Sequence, residues 1–415
     1  MTKLKGPNGF QRSVLPNGIR LVSERIPHVR SVALGVWMPL GPRYETKEIN
    51  GISHFIEHMA FKGTPTRSSL EIAREIESGG GYVNAFTGKE IACFYVHVLD
   101  QHLKKAIEVL ADILCNPLFA DDMIQHEKTV ILEEISDFED SPEELVHEYF
   151  VSELFQNHPY GLPILGNRDT VNSFSRQNLF DAFASHRASD KMVIAAAGNL
   201  DHDELCGYAG EFFQINSSST LDFPPPPSPH RPDRKDFSRN GIIQSHICCG
   251  TQALAYHSPE KFPFMILNTV LGGGMSSRLF QNIREKFGFT YNVYSFADTL
   301  EDTGFFGVYL GTDKGKIDEA LELILREFDD LRKQPLSQDE LSRLKDQLKG
   351  NLMLGLEQVS SRMYRLAKME LYLKDYLSLD DILNLIDKVT SEEVMSLADR
   401  LLQRDQQLIT TLAPE

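Results

Sequence analysis

Residues 68–99, SSLEIAREIESGGGYVNAFTGKEIACFYVHVL, hold the pattern on which the fold turns. Ser68, with Glu71 three residues on, forms a capping box that opens a helix. Gly79-Gly80-Gly81 stops it. From Tyr82 to Leu99 the apolar residues alternate around a turn at Gly88, which predicts a β-hairpin. Sliding the second part of the chain back by 210 positions repeats the pattern: Arg284-Glu285 falls on Arg74-Glu75 and Phe296 on Phe86. There Gly272-Gly273-Gly274 precedes an Arg284-bearing helix, and strands run through Tyr294 and from Phe305 to Tyr309. Two copies are too few for a solenoid, and each is long enough to own a core. The expected fold is therefore α+β, with two homologous domains, each a mostly antiparallel sheet with helices packed on one face.

The proline cluster Pro224, Pro225, Pro226, Pro227, Pro229 and Pro232 follows a Ser/Thr run and suits neither a helix nor a central strand. Residues 217–235 are read as the linker between a domain at 1–216 and a second at 236–415. Lys plus Arg number 42 against 59 Asp plus Glu, a formal charge of −17, and so acidic a surface disfavours nucleic acid. The start, MTKLKGPNGF, has no apolar stretch behind its lysines, and no window is apolar enough for a membrane helix. No membrane partner is expected. Five cysteines without C-x-x-C spacing read as reduced thiols of a cytoplasmic protein.

Gly51 to Thr64 reads GISHFIEHMAFKGT, containing His54, Glu57 and His58 as H-x-x-E-H. On a helix the histidines, four apart, stand one turn above the other, and Glu57 shares nearly the same face. Two imidazoles at this spacing are a good pair of zinc ligands, and a catalytic zinc needs a third protein ligand with a position left for water. The order inverts the commoner H-E-x-x-H. The ordinary alternative is a solvated face with two surface histidines. A third ligand is offered by the helical stretch 122–138, DMIQHEKTVILEEISDF, in which Val130, Ile131 and Ile135 make an apolar stripe and Glu127 and Glu134, seven apart, share a face. Composition does not choose among Glu127, Glu133 and Glu134.

GISHFIEHMAFKGT, followed 76 positions after His58 by the second glutamate of VILEEI, resembles the pitrilysin/insulinase family of inverted-motif zinc metallopeptidases. The likeness spans the whole chain and is strongest to the two-domain branch that includes the mitochondrial processing peptidase β subunit and its bacterial relatives. The resemblance implies one zinc ion per chain held by His54, His58 and Glu134, with Glu57 as general base and Glu127 supporting the ligands from behind. It implies that Asn84, Ala85 and Phe86, in Asn84-Ala85-Phe86-Thr87, form an edge strand on which an extended substrate pairs. Arg284 and Tyr291 match the family's Arg and Tyr that approach the substrate carbonyl. Glu144 and Glu148 match acids that hold a substrate arginine, implying a preference for basic residues near the cleaved bond. In longer relatives the Arg and Tyr lie in the opposite half of the molecule from the zinc. A homodimer is therefore expected, or a heterodimer with an inactive homologue.

The 210 shift places Phe264 under His54, Leu267 under Glu57, Asn268 under His58 and Leu344 under Glu134, so the second copy lacks the metal site. The expected function is a cytoplasmic zinc endopeptidase acting on extended peptides or unfolded segments. The rival is a noncatalytic scaffold or partner subunit of the same fold.

Overall fold

Strand Ser31–Met38, SVALGVWM, is apolar at both parities, so the sheet around it needs cover on both faces. In the computed structural model, which describes residues 3–7, 9–215 and 223–415, this strand lies inside the first sheet. From edge to edge that sheet runs Lys3–Lys5, Phe10–Val14, Arg20–Arg25, Val193–Gly198, Ser31–Met38, Ala92–Leu99 and Tyr82–Thr87. Neighbours are antiparallel except Arg20–Arg25 with Val193–Gly198. The expected hairpin forms with Tyr82 opposite His97 and Thr87 opposite Ala92. The helix before it, Ser69–Glu77, carries the Ser68–Glu71 capping box.

Val32, Leu34, Val36 and Met38 join one core with Phe55, Ile56 and Met59 of helix Ile52–Ala60 and Ile107, Leu110 and Leu114 of helix Leu103–Cys115. Ala33 and Trp37 point the other way, and the Trp37 ring covers Gly35, where an added Cβ would lie 2.6 Å from it. That face is closed by helix Val359–Lys368, whose Val359, Met363, Leu366 and Ala367 recur at helical spacing. Buried acids fasten the segment, and pairing offsets the cost of burying their charge. Glu370 accepts from Arg12 at 2.7 and 2.9 Å and from Arg20 at 3.3 Å. Glu24 pairs with Arg362 and Arg365. Glu90 accepts from the Tyr372 hydroxyl at 2.6 Å and from Arg43 at 3.3 Å.

The second sheet runs Val293–Thr299, Gly304–Thr312, Ser245–Ala253, Leu408–Pro414 and Asp233–Arg239, with the last pair parallel. Phe306 meets Phe264 of helix Lys261–Gly272 and Phe328 of helix Ile317–Lys333 on one face. On the other, Cys248, Tyr309, Leu408 and Leu412 pack with Leu145, Val146, Phe150 and Leu154 of helix Pro142–Leu154.

The compact units are thus Met1–Ser136, Leu162–Pro224 and Gly355–Ser378 on one side, and Asp137–Gly161, Pro225–Leu354 and Leu379–Glu415 on the other. This departs from the linear division at 1–216 and 236–415. Helices Pro142–Leu154 and Val359–Lys368 occupy matching places in the two halves, each after the second of two α-helices that follow the hairpin, and each covers the sheet of the opposite half. An apolar stripe requires burial without specifying which sheet supplies it. Of the expected linker, 217–222 lie outside the described residues, 223–232 form neither helix nor strand, and 233–235 already belong to strand Asp233–Arg239. All five cysteines are free thiols, four of them buried.

Candidate metal centre

The helix that carries the motif, Ile52–Ala60, begins at Gly51, whose φ of 93° is left-handed and whose added Cβ would meet Gly166 Cα and Leu165 O at 2.7 Å. With no side chain at that position to cap the helix, Glu45 does so from a distance. Its buried carboxylate accepts from Gly51 N at 2.8 Å, Ser53 N at 2.9 Å and Asn50 Nδ2 at 2.9 Å. Burial raises the Glu45 pKa, the hydrogen bonds opposing it. Ile52, Phe55, Ile56 and Met59 anchor the helix in the core, which turns His54, Glu57 and His58 to the other face.

Helix Asp121–Glu139 brings its acids to that face, held by Ile124, Ile131 and Ile135. Glu133 is exposed. Glu134 Oε2 lies 3.7 Å from His54 Nε2 and 3.4 Å from His58 Nε2. One donor atom from each of these three residues falls within 4.8 Å of the others. Tetrahedral ligands about 2.1 Å from one zinc ion sit about 3.4 Å apart, so the set fits that ion. Glu127 is fully buried between His58 Nδ1 at 3.1 Å and Lys62 Nζ at 2.7 Å. A carboxylate on Nδ1 leaves Nε2 to face the metal and fixes the ring's orientation.

The electrostatics of this cup favour one cation. Burial and the neighbouring His58 push His54 down to about 4. His58 is raised to about 9: burial opposes its charge, but hydrogen bonds and charges from Glu127 and Glu134 outweigh it. A proton on His58 thus occupies the place that a metal ion could take. The pKa of Glu57, mostly desolvated, is raised by that burial, while Thr87 Oγ1, donating at 2.5 Å, favours the ionised form.

Three contributors went unread in the sequence: Glu45, Lys62 and the hydroxyl of Thr87. Thr87 was discernible from strand parity, since residues 83, 85 and 87 share the face opposite exposed Tyr82 and Phe86. Asn84, Ala85 and Phe86 lie on the outermost strand, as expected. The remaining candidates belong to the second unit. Arg284, in the π-helical turn Phe280–Glu285, stacks 4.5 Å from the Phe280 ring and 5.0 Å from Tyr291, which is 80% exposed. Glu144 and Glu148 lie on helix Pro142–Leu154 and line a cavity of about 620 Å³ with Glu143, His147 and Tyr294. This corrects their assignment to the first domain and follows from the helix exchange. Phe264, Leu267 and Leu344, at the positions of metal-site residues, are buried in the second unit's interior. Among the described residues, no helix is long and apolar enough to cross a membrane.

Residues 20–168 match the model of the insulinase family, peptidase family M16, and 173–348 match the peptidase M16 inactive domain. The uncharacterized zinc protease YmxG of Bacillus subtilis is 39% identical over 95% of this chain and 96% of its own length. An uncharacterized zinc protease of Streptomyces coelicolor is 38% identical over 97% and 90%. Among solved structures, a peptidase M16 inactive domain from Pseudomonas fluorescens superposes with a TM-score of 0.92, at 20% identity and 98% coverage of both chains. A chain of Complex III2 from Candida albicans gives 0.85, also at 20% identity, covering 97% of this chain and 95% of that one. With near full-length coverage at 36 to 39% identity in several relatives named as zinc proteases, and the same two-domain α+β fold, the chain belongs to the peptidase M16, or insulinase, family.

Proposed function

We propose that the protein is a zinc endopeptidase that hydrolyses extended peptides or unfolded segments. The observation that carries this reading is the convergence of His54, His58 and Glu134 next to a Glu57 held by Thr87, the latter lying on a strand with an open edge. A zinc ion held there supplies a Lewis acid and a water of lowered pKa. Glu57 takes a proton from the attacking water and passes it to the leaving amine, a role suited to a carboxyl whose pKa lies above its ordinary range. Glu127 and Lys62 hold His58 in place. The edge strand accepts only a segment free to pair, so folded proteins are poor substrates.

Arg284 and Tyr291 are assigned to hydrogen bonding with the substrate carbonyl as charge develops. A second chain, either another copy or an inactive homologue, is proposed to supply them in trans. Glu144 and Glu148, one helical turn apart, are proposed to hold an arginine near the cleaved bond, a geometry that suits the guanidinium fork. The setting proposed is the cytoplasm.

The scaffold reading draws on the fold's likeness to the Complex III2 chain, and zinc content separates the two. In Glu57→Gln, peptidase activity should fall by about 10²- to 10⁴-fold with stoichiometric zinc retained. Glu134→Gln and His58→Ala should lose zinc. Turnover near wild type in Glu57→Gln, or wild-type protein without zinc, would sink the proposal.

A further inference from the structure

The short turn Pro42–Tyr44 and the residues beside it touch both elements that bring Glu57 and Thr87 together. Toward the motif helix, Glu45 accepts from Gly51 N at 2.8 Å and Ser53 N at 2.9 Å. Toward the hairpin, Arg43 N donates to Lys89 O at 2.8 Å, and a Cβ added to Gly41 would lie 2.4 Å from Gly88 O. The hairpin turn is closed by Gly88 N on Ile91 O at 2.8 Å, and Lys89 Nζ donates to Leu162 O at 2.8 Å. Thr87 ends the strand that enters this turn, so its backbone is set by where the turn sits.

A buried ion pair completes the hairpin side. Glu90 and Arg43 are both buried. One Glu90 oxygen accepts from Arg43 Nη1 at 3.3 Å and the other from the Tyr372 hydroxyl at 2.6 Å. Such a pair adds little stability over apolar packing of the same volume, but its directional bonds fix position. Tyr372 lies in the π-helical turn Met369–Leu373, a kind of insertion common at functional sites. Glu370 in the same turn is tied to Arg12 and Arg20, so the Tyr372 hydroxyl is presented from an anchored backbone.

We propose that Tyr372 is a positioning residue that, acting with Arg43 on Glu90, seats the hairpin turn and so holds the Thr87 hydroxyl against Glu57; its consequence for catalysis rests on the peptidase reading above. Glu45 fixes the end of the helix that carries the base, and the Arg43–Glu90–Tyr372 set fixes the end of the strand that carries its partner. One five-residue segment, Gly41 to Glu45, spans the two, which makes the 2.5 Å contact between Thr87 and Glu57 a property of backbone on both sides. A misplacement of about 1 Å at a reacting group can cost about 10²-fold in rate.

The test uses full-length, zinc-loaded protein carrying Tyr372→Phe, which removes one hydroxyl and keeps the ring. Amide hydrogen exchange at Arg43 and Gly88, whose N–H groups close on the turn, should quicken by about tenfold. On a peptide substrate kcat should fall by about tenfold, with KM within about twofold and zinc retained. Added to Thr87→Val, Tyr372→Phe should lower kcat no further, because both act on one contact. Met363→Ala, which loosens the crossing helix at a residue outside this set, should leave kcat near wild type. Unmoved exchange at both amides, a kcat loss that adds to that of Thr87→Val, or an equal loss in Met363→Ala overturns the positioning role. Wild-type protein that cleaves no peptide refutes the peptidase reading alone, and quickened exchange in Tyr372→Phe then still supports the seating of the turn.

Discussion

Met363 tests the exchange of helices between the two halves of the chain. Its side chain is fully buried in the cluster with Trp37, Val22 and Val193, on the face of the first sheet that helix Val359–Lys368 covers. Met363→Ala removes the outer atoms of a side chain with no path to solvent, so the loss combines transfer free energy with an unfilled cavity, about 2 to 5 kcal/mol. Trp37 is the chain's one tryptophan and is itself buried, so its emission reports the first unit. In urea, the transition followed by Trp37 should move to lower denaturant by about 1 M or more, with its slope unchanged. Met275→Ala, at a residue 75% exposed in the second unit, should move it by no more than about 0.5 kcal/mol. If the helix belonged to the second half's own core, Met363→Ala would leave the Trp37 transition in place, so an unmoved midpoint would overturn the exchange of helices.

The hydroxyl of Thr87 favours the ionised form of Glu57, so Thr87→Val should raise that pKa and shift the acid limb of kcat/KM to higher pH, with zinc retained; an unmoved limb removes Thr87 from the site. Mixing Glu57→Gln with Tyr291→Phe subunits should restore part of the activity by forming one intact site per mixed dimer, and no recovery after verified subunit exchange counts against action in trans. Peptide-library profiling should show enrichment of arginine near the cleaved bond that weakens with salt and disappears in Glu144→Gln/Glu148→Gln. Enrichment that persists in the double variant rules out the acid clamp.

Features that depend on near neighbours along the chain were legible in the residues alone. The four-residue spacing of His54 and His58 sets their common face, the Ser68–Glu71 box and the glycines after it bound a helix, and alternation from Tyr82 fixes the hairpin. Each follows from a helical or strand period acting within a dozen residues. Duplication was legible for the same reason, because two local patterns recur in one order. Composition and helical phase left Glu127, Glu133 and Glu134 open, with only the family resemblance pointing to Glu134; it is the packing of helix Asp121–Glu139 against Ile52–Ala60 that sets the Glu134 carboxylate near both Nε2 atoms and Glu127 behind Nδ1. Glu45 and Thr87 reach the motif helix through chain folding that no local period encodes. The same holds for helices Pro142–Leu154 and Val359–Lys368, whose apolar stripes demand cover but carry no address, so the sheet that buries each is settled by the fold as a whole.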